Sequence, residues 1–281
     1  MSSSPRILIT GAGAVCGAGL TVEDIWEAVK TGRSAIAPIS QWDSSGWPAR
    51  HAGEVKADNR TLVPDRKLHK MISRTDLLGL YAADSAIARS GLPAHREKLD
   101  EQAAARFNDR SGVFVGSGGG SYGSGYDFFP LFTTAAGNLQ AFGRELSNTV
   151  NPMWLLRNLP NNVLCHIGIR HNLKGTNACI TNQCVGGVLA VAEAGEAIRT
   201  GEADRAVIVG HDAPVEPETV TYYHQLGLLS SDAVRPFDRE RTGTILGEGA
   251  ASVVFETSDE AKSRGATVLG EFLGSGCATE A

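Results

Sequence analysis

Apolar residues occur along the chain in short runs, and these runs alternate with segments of helical spacing. The continuous apolar runs Arg6–Thr10, Arg205–Gly210 and Gly249–Glu256 predict buried strands. Apolar residues at intervals of three and four predict helices over EDIWEAVKTG and over Thr75–Ser90, each closed by a glycine. Strands and helices that alternate in this way are typical of an α/β fold.

Capping and turn residues indicate where several of these elements begin and end. Thr21 is predicted to cap the first helix, with Asp24 in the first turn and Gly32 at the end. Ser111–Gly120 (SGVFVGSGGG) is predicted to be a strand that runs into a glycine- and serine-rich loop. Residues 126–160 carry several aromatic side chains and predict helical segments.

Composition and charge exclude several classes of protein. The chain has 281 residues, of which 42% are hydrophobic and 20% charged, and its formal net charge is −5. These values are ordinary for a globular protein, and the negative charge argues against a broad nucleic-acid-binding surface. No apolar run reaches the length of a membrane span, and MSSSPRILITGAG lacks the apolar stretch of a secretory signal. We therefore expect a cytoplasmic protein without a membrane or nucleic-acid partner, folded as a single domain over residues 1–281.

The glycine-rich segment TGAGAVCGAG, from Thr10 to Gly19, follows the first predicted strand. A glycine-rich turn between a strand and a helix can bind phosphate through its backbone N–H groups. The spacing here is GxGxxxG rather than the dinucleotide pattern, and no acidic residue follows a second strand at the expected distance. The segment is therefore predicted to be a tight turn that needs backbone freedom, and no cofactor is expected.

The cysteines are odd in number and irregular in spacing, which argues against a disulfide framework. They are Cys16, Cys165, Cys179, Cys184 and Cys277. No CxxC pair is present near Cys179 or Cys184, so no metal site is expected. A single cysteine ordinarily serves as a small buried apolar residue.

Cys184 differs from the other cysteines in its surroundings. A β-prone segment precedes it, and two glycines lead from it into a small-residue helix, ITNQCVGGVLAVAEAGEAI. Apolar residues share one face of that helix, namely Val185, Val188, Leu189 and Ala192. The thiol is thus predicted at a helix N-terminus, where unpaired N–H groups and the helix dipole favour the thiolate, a good nucleophile toward thioesters. The residues alone leave two roles open for Cys184, that of a nucleophile and that of a buried structural thiol.

Several segments, in order along the chain, resemble the β-ketoacyl-[acyl-carrier-protein] synthases, the condensing enzymes of fatty acid and polyketide synthesis. These segments are ILITGAGAVCGAGLTVEDIWEAVKTGRSAI, SGVFVGSGGGSYGSGYDFF, NNVLCHIGIRHNLKGTNACITNQCVGG and PFDRERTGTILGEGA. The resemblance implies the thiolase-like fold, in which two similar α/β halves pack face to face, with a mixed sheet and helices on both faces. It assigns this chain to the N-terminal half and the start of the second half.

The resemblance also implies a reaction. Cys184 would take an acyl group from an acyl carrier protein as a thioester, and malonyl-carrier protein would lose carbon dioxide. The resulting carbanion would attack the acyl thioester, which adds two carbons and leaves a β-keto product.

The family's remaining catalytic groups are expected outside this chain. Its two catalytic histidines, its lysine and its glycine-rich oxyanion loop belong to the C-terminal half of the fold, and none of the seven histidines here matches those positions. We therefore expect residues 1–281 to lack the C-terminal half and to form a homodimer, or a heterodimer with a chain that supplies it. The chain alone is expected to be inactive or limited to acyl transfer.

A basic cluster stands out in the acidic chain: Arg66, Lys67, Lys70 and Arg74. Acyl carrier proteins are acidic, and complementary charge steers docking between proteins. The cluster is therefore a candidate carrier-protein surface, while the simpler alternative is a solvated helix face.

Two other hypotheses remain open. The chain could be a non-catalytic partner subunit of a ketosynthase, similar to a chain-length factor, since such subunits carry glutamine in place of the cysteine and Gln183 precedes Cys184 here. Cys184 would then be dispensable. It could also be another acyl-thioester enzyme of the thiolase fold, for which a preference for coenzyme A thioesters would be diagnostic.

Overall fold

The computed structural model describes residues 5–118, 129–231 and 233–279, which form a mixed six-stranded sheet flanked by helices and a small two-stranded sheet. The strands are β1 (Ile7–Cys16), β2 (Ala37–Pro38), β3 (His51–Ala52), β4 (Ser111–Ser117), β5 (Asn177–Ile180), β6 (Arg205–Asp212), β7 (Gly249–Thr257) and β8 (Gly270–Phe272). The helices are α1 (Val22–Thr31), α2 (Asn59–Leu62), α3 (Arg74–Ser90), α4 (Leu92–Arg96), α5 (Glu101–Asp109), α6 (Phe129–Ala135), α7 (Leu139–Thr149), α8 (Trp154–Arg157), α9 (Asn162–His171), α10 (Gly186–Arg199), α11 (Pro217–Gln225) and α12 (Ser258–Ser263). No helix in these ranges combines the length and the apolar character that crossing a bilayer requires.

The large sheet combines parallel and antiparallel pairs in the order β5-β4-β6-β7-β1-β8. β4 pairs in parallel with β5 and β6, whereas β7 runs antiparallel to both β6 and β1. The carboxyl ends of β4, β5 and β6 therefore meet at one edge, and in open α/β sheets ligands bind outside such ends. The predicted α/β class with a mixed sheet is confirmed.

Two helices cover opposite faces of this sheet. α3 packs against β1, β6 and β7 and buries Leu77, Leu78 and Leu80 in the larger core cluster. α10 packs against β4, β5 and β6 and contributes Ala190 and Ala194 to a second cluster. Each fully buried leucine contributes roughly 2 kcal/mol to the free energy of unfolding. The two helices thus hold the strand ends that surround the candidate site.

The prediction of a glycine-rich turn directly after Thr10 is wrong. β1 continues through Gly11 and Gly13 as far as Cys16, and it pairs with β7 along this stretch. The glycines allow close contact with α3, because a Cβ atom added at Gly13 would lie 2.2 Å from the carbonyl oxygen of Ala82. The segment is therefore a strand packed on a helix and does not form a phosphate-binding turn.

The other predicted elements are confirmed, with shifts of one or two residues at their ends. Thr21 caps α1 by accepting a hydrogen bond from the backbone N–H of Asp24 at 3.1 Å. Gly32 ends α1 with a φ of 66°, a left-handed conformation that glycine adopts without strain. Residues 119–120 of the predicted loop and 126–128 of the predicted helical region lie outside the described residues.

A buried ion pair joins β1, β7 and α12. Glu256 of β7 is fully buried and accepts a hydrogen bond from Thr10 Oγ1 at 2.5 Å. The Arg264 guanidinium, just after α12, donates to both carboxylate oxygens of Glu256, through Nε at 2.9 Å and through Nη2. A buried carboxylate is tolerated only when it is paired in this way. The pair fixes the end of α12 against the centre of the sheet.

Candidate active site around Cys184

Glycines on two neighbouring strands bring the start of α10 directly against the sheet. A Cβ atom added at Gly116 of β4 would lie 2.2 Å from the carbonyl carbon of Gly186 and from the nitrogen of Gly187. One added at Gly210 of β6 would lie 3.2 Å from the Cα atom of Gly187. Backbone atoms cannot rotate away from such a contact as a side chain can. The first turn of α10 therefore lies over β4 and β6, close to their carboxyl ends.

Cys184 lies in a 3₁₀ turn, Gln183–Val185, between the end of β5 and the start of α10. Its side chain is exposed, which does not fit a buried structural thiol. No side chain caps the first turn of α10, and the N–H of Gly186, its first residue, donates to the carbonyl oxygen of Gln183. The helix dipole at this end favours a negative charge. The predicted position of the thiol at a helix start is confirmed.

Tyr223 of α11 contacts the sulfur. Its hydroxyl oxygen lies 3.7 Å from Cys184 Sγ. The contact with Cys184, together with burial, raises the pKa of Tyr223 to about 12. Sequence reasoning missed this residue, because Tyr223 is 39 positions from Cys184 along the chain and only the fold brings the two side chains together.

Two cavities that share Gly118, Gln183 and Asp212 flank the thiol. One is a cleft of about 490 Å³ along the ends of β1, β4, β6 and β7, with Cys184 in its wall. The other has a volume of about 430 Å³ and includes Tyr223. Volumes in this range are those of small-molecule sites. Gln183 separates the two with a φ of 29°, a left-handed backbone conformation that is unfavourable for a non-glycine residue.

The cavity beside Tyr223 disfavours anions. Desolvation raises the pKa of Asp212, although the backbone N–H of Ala213 donates a hydrogen bond to its carboxylate at 2.8 Å. Desolvation also raises the pKa of Glu218. Within the described ranges, the cavity has no lysine, arginine or histidine in its wall. It is therefore better suited to an uncharged group than to a free phosphate or carboxylate.

His211 lies at the end of β6, in the wall of the Cys184 cleft, but it is oriented toward α3. Its Nδ1 atom is 3.0 Å from Thr75 Oγ1, and its ring occupies space that Gly79 leaves open. Burial lowers the pKa of His211 to about 4, so the imidazole is neutral at physiological pH. These contacts give His211 a structural role between β6 and α3.

The predicted basic cluster divides into two parts. Arg66, Lys67 and Lys70 are exposed between α2 and α3. Arg74, in contrast, donates to Glu248 Oε1 at 2.8 Å and to the carbonyl oxygen of Val55 at 2.6 Å. Three members are therefore free to meet a partner, while the guanidinium of Arg74 is held in a bridge between α3 and the start of β7.

Part of the apolar face predicted for α10 lies in solvent, while Leu189 and Ala192 of the same predicted face are half-buried. Val185 is 50% exposed and Val188 is 69% exposed, whereas the helix buries its small residues, among them Ala190 and Ala194. Runs of exposed apolar residues on soluble proteins mark contact surfaces. The face begins one residue after the thiol, so whatever covers it would also enclose the candidate site.

The described residues offer no obvious place for a metal or nucleotide cofactor. Within residues 5–118, 129–231 and 233–279, no three histidine, cysteine, aspartate or glutamate side chains are grouped so that they could hold a metal ion. The glycines that prompted a nucleotide hypothesis lie inside β1, where the ladder with β7 uses their backbone.

Comparison with known proteins gives one consistent picture. The family model of the β-ketoacyl synthase N-terminal domain matches residues 4–261. Nodulation protein E of Rhizobium leguminosarum bv. trifolii is 32% identical over 276 residues, which cover 98% of this chain and 64% of that protein. 3-Oxoacyl-[acyl-carrier-protein] synthase 2 of Coxiella burnetii is 30% identical over 283 residues, again 98% of this chain and 64% of that protein.

A solved structure gives the same result for the fold. The ishigamide ketosynthase/chain length factor superposes with a TM-score of 0.78 at 27% sequence identity, over 97% of this chain and 63% of that one. The expected thiolase-like ketosynthase fold is thereby confirmed. The chain spans about 64% of the length of the curated relatives that it matches.

Proposed function

The chain belongs to the family of the β-ketoacyl synthase N-terminal domain, and from that premise we propose that Cys184 accepts an acyl group from a carrier-protein thioester. The thiolate attacks the thioester carbonyl, the carrier's thiol leaves with a proton, and an acyl-Cys184 thioester remains. Decarboxylative condensation with malonyl-carrier protein then follows. The observation that carries this proposal is an exposed thiol at an uncapped helix start, beside two cavities at the carboxyl ends of parallel strands.

Acyl transfer to Cys184 can be tested by intact mass. Purified protein is mixed with an acyl-carrier protein, and an increase equal to one acyl group is expected. Cys184→Ala should show no increase, whereas Cys165→Ala, which removes another exposed thiol, should behave as the unmutated protein. An unmutated protein that is folded and still gains no mass would contradict a loading role for these residues.

We further propose that Arg66, Lys67 and Lys70 bind the acidic carrier protein, and that Arg74 supports this surface from behind through Glu248. The name of the Coxiella relative, which specifies an acyl-carrier-protein substrate, supports this choice of partner. The exposure of three adjacent cations supports it as well. Because the steering force is electrostatic, added salt should weaken it.

Charge reversal tests the docking surface. The variant R66E/K67E/K70E should raise the KM for an acyl-carrier substrate roughly tenfold or more at low salt. Transfer from a small acyl thioester without a carrier should be unchanged. The matched control K98E/K174E/K262E reverses three exposed lysines elsewhere. Equal losses in both variants, or an equal loss with the small thioester, would show that the cluster does not act in docking.

We also propose that a partner covers Val185 and Val188, either a second copy of this chain or a different chain that supplies the C-terminal half of the fold. The exposure of both valines supports this, because a contact there would exclude water from the thiol. Val188→Asp should weaken the association in analytical ultracentrifugation. Val29→Asp, at a 64% exposed valine on α1, is the matched control.

A second function has its own support. The solved relative is named as a ketosynthase/chain length factor pair, and Gln183 stands next to Cys184. A non-catalytic subunit would keep full pathway output with Cys184→Ala, whereas the condensing subunit would lose it. This variant therefore separates the two functions directly.

A further inference from the structure

α11 carries two adjacent tyrosines, and only one of them contacts the thiol. The Tyr223 hydroxyl lies 3.7 Å from Cys184 Sγ, a distance at which sulfur, with its large radius, takes part in a hydrogen bond. The ring of Tyr222 packs against that of Tyr223 edge to face, with centroids 5.6 Å apart, and is 52% exposed. Tyr222 therefore supports Tyr223 from the solvent side.

We propose that Tyr223 is a further catalytic residue of this site, which donates a hydrogen bond from its hydroxyl to Cys184 Sγ and stabilises the thiolate. This proposal rests on the proposed role of Cys184 as the acyl acceptor. A thiolate accepts hydrogen bonds more strongly than a neutral thiol does, so the contact favours the reactive form. α10 begins two residues after Cys184, and the dipole at a helix N-terminus favours negative charge.

The groups around Tyr223 keep its proton in place. Cys184 is the main cause of its raised pKa, followed by burial, and the charges of Cys184, Asp212 and Tyr222 act in the same direction. A nearby negative charge disfavours a second one, so a charge on the sulfur would make loss of the phenol proton harder still. Tyr223 thus remains a donor under the conditions in which Cys184 reacts.

The position of α11 places Tyr223 beside Cys184 and beside one of the two cavities. α11 begins at Pro217, shortly after β6 ends at Asp212, and Tyr223 lines the cavity that also includes Gln183. When the sulfur carries an acyl group, the same hydroxyl stands beside the new thioester. It can then donate to the thioester carbonyl or to a substituent on the acyl chain.

The test measures thiolate reactivity separately from acyl transfer. Iodoacetamide alkylation of Cys184 at pH 7 is followed by peptide mass spectrometry; the S–C bond forms, iodide leaves, and the thiol proton passes to solvent. Tyr223→Phe should slow this alkylation roughly three- to tenfold, since it removes one hydrogen bond of ordinary strength. Tyr81→Phe, which removes the same hydroxyl group from a tyrosine of α3, is the matched control and should leave the rate unchanged. Cys165 in the same samples reports any general change in reagent or folding.

Each outcome bears on the proposal. A selective loss with Tyr223→Phe supports it, and transfer from an acyl-carrier protein should fall by a similar factor. An unchanged or increased alkylation rate would overturn it, because the hydroxyl would then be neutral toward the thiolate or would stabilise the thiol. If the unmutated protein accepts no acyl group while Tyr223→Phe still slows alkylation, the proposed function fails and the hydrogen bond stands.

Discussion

Replacing Gly116 with alanine should displace the candidate nucleophile without touching it. The added methyl group would lie 2.2 Å from backbone atoms of Gly186 and Gly187, whereas ordinary contact begins at 3.4 Å. The first turn of α10 must therefore move by about 1 Å or β4 must bend. Overpacking of a core typically costs about 1–3 kcal/mol, and the opposing atoms here belong to the backbone, so we expect a loss of about 3 kcal/mol in the free energy of unfolding.

The same displacement should impair acyl transfer more than stability alone would. A shift of about 1 Å at a reacting group can reduce a rate roughly hundredfold. Urea unfolding measures the first effect, and mass-resolved acyl transfer to Cys184, recorded well below the unfolding midpoint, measures the second. Gly210→Ala should give a smaller loss of both, because its methyl group would lie 3.2 Å from the nearest atom.

Gly143→Ala provides the control. Gly143 lies inside α7, and an added methyl group there would have nothing within 4 Å, so alanine should raise the free energy of unfolding by about 0.5–1 kcal/mol. The reasoning would be refuted if Gly116→Ala unfolded within about 1 kcal/mol of the unmutated protein and accepted acyl groups at the same rate. It would also be refuted if Gly210→Ala were the more severe variant.

Three further predictions concern the scaffold. Glu256→Gln leaves Arg264 buried without its counter-charge and should lower the free energy of unfolding by about 3–5 kcal/mol in urea titrations. Because the pKa of His211 falls from 6.5 to about 4 on folding, its contribution to stability is complete above pH 6.5 and is lost as the pH falls toward 4; His211→Gln should flatten that part of the stability profile. Asn172 ends α9 at a φ of 55°, so Asn172→Gly should preserve or raise the melting temperature, while Asn172→Ala should cost about 1 kcal/mol.

Each of these has an outcome that contradicts it. A Glu256→Gln variant as stable as the unmutated protein would mean that water or another group compensates Arg264. A pH profile with the same slope after His211→Gln would assign the acid sensitivity to the carboxylates. Equal melting temperatures for the glycine and alanine variants of Asn172 would show that the cap carries no strain.

The elements that local patterns describe well were predictable from the sequence. α1 begins after Thr21 and ends before Gly32 as predicted, because a helix cap depends only on residues within a turn or two. The placement of Cys184 before a helix was predictable for the same reason. The role of a glycine was harder to predict. Gly13 lies in a strand packed against α3, whereas Gly32 ends a helix, and the sequence does not show which glycine will meet another element.

Contacts between distant segments were not predictable. Helical spacing predicted one apolar face after Cys184, but spacing alone could not show that Val188 is exposed while Ala190 is buried. The partners of Arg74 come from segments near positions 55 and 248, so its place in the basic cluster concealed a structural role. Tyr223 had no local signal at all, because a tyrosine in a helix is ordinary until the fold sets it beside a sulfur.

Because β1 pairs with β7, the large sheet cannot be completed early in synthesis. Ile7 pairs with Thr257, so β1 leaves the ribosome long before its partner β7. At roughly 5–20 residues per second, that wait is on the order of tens of seconds. β6 waits as well, because its other neighbour in the sheet is also β7. A nascent chain therefore carries unpaired strand edges until β7 has been made, and its yield should depend on chaperone capacity and on elongation speed more than its final stability would indicate.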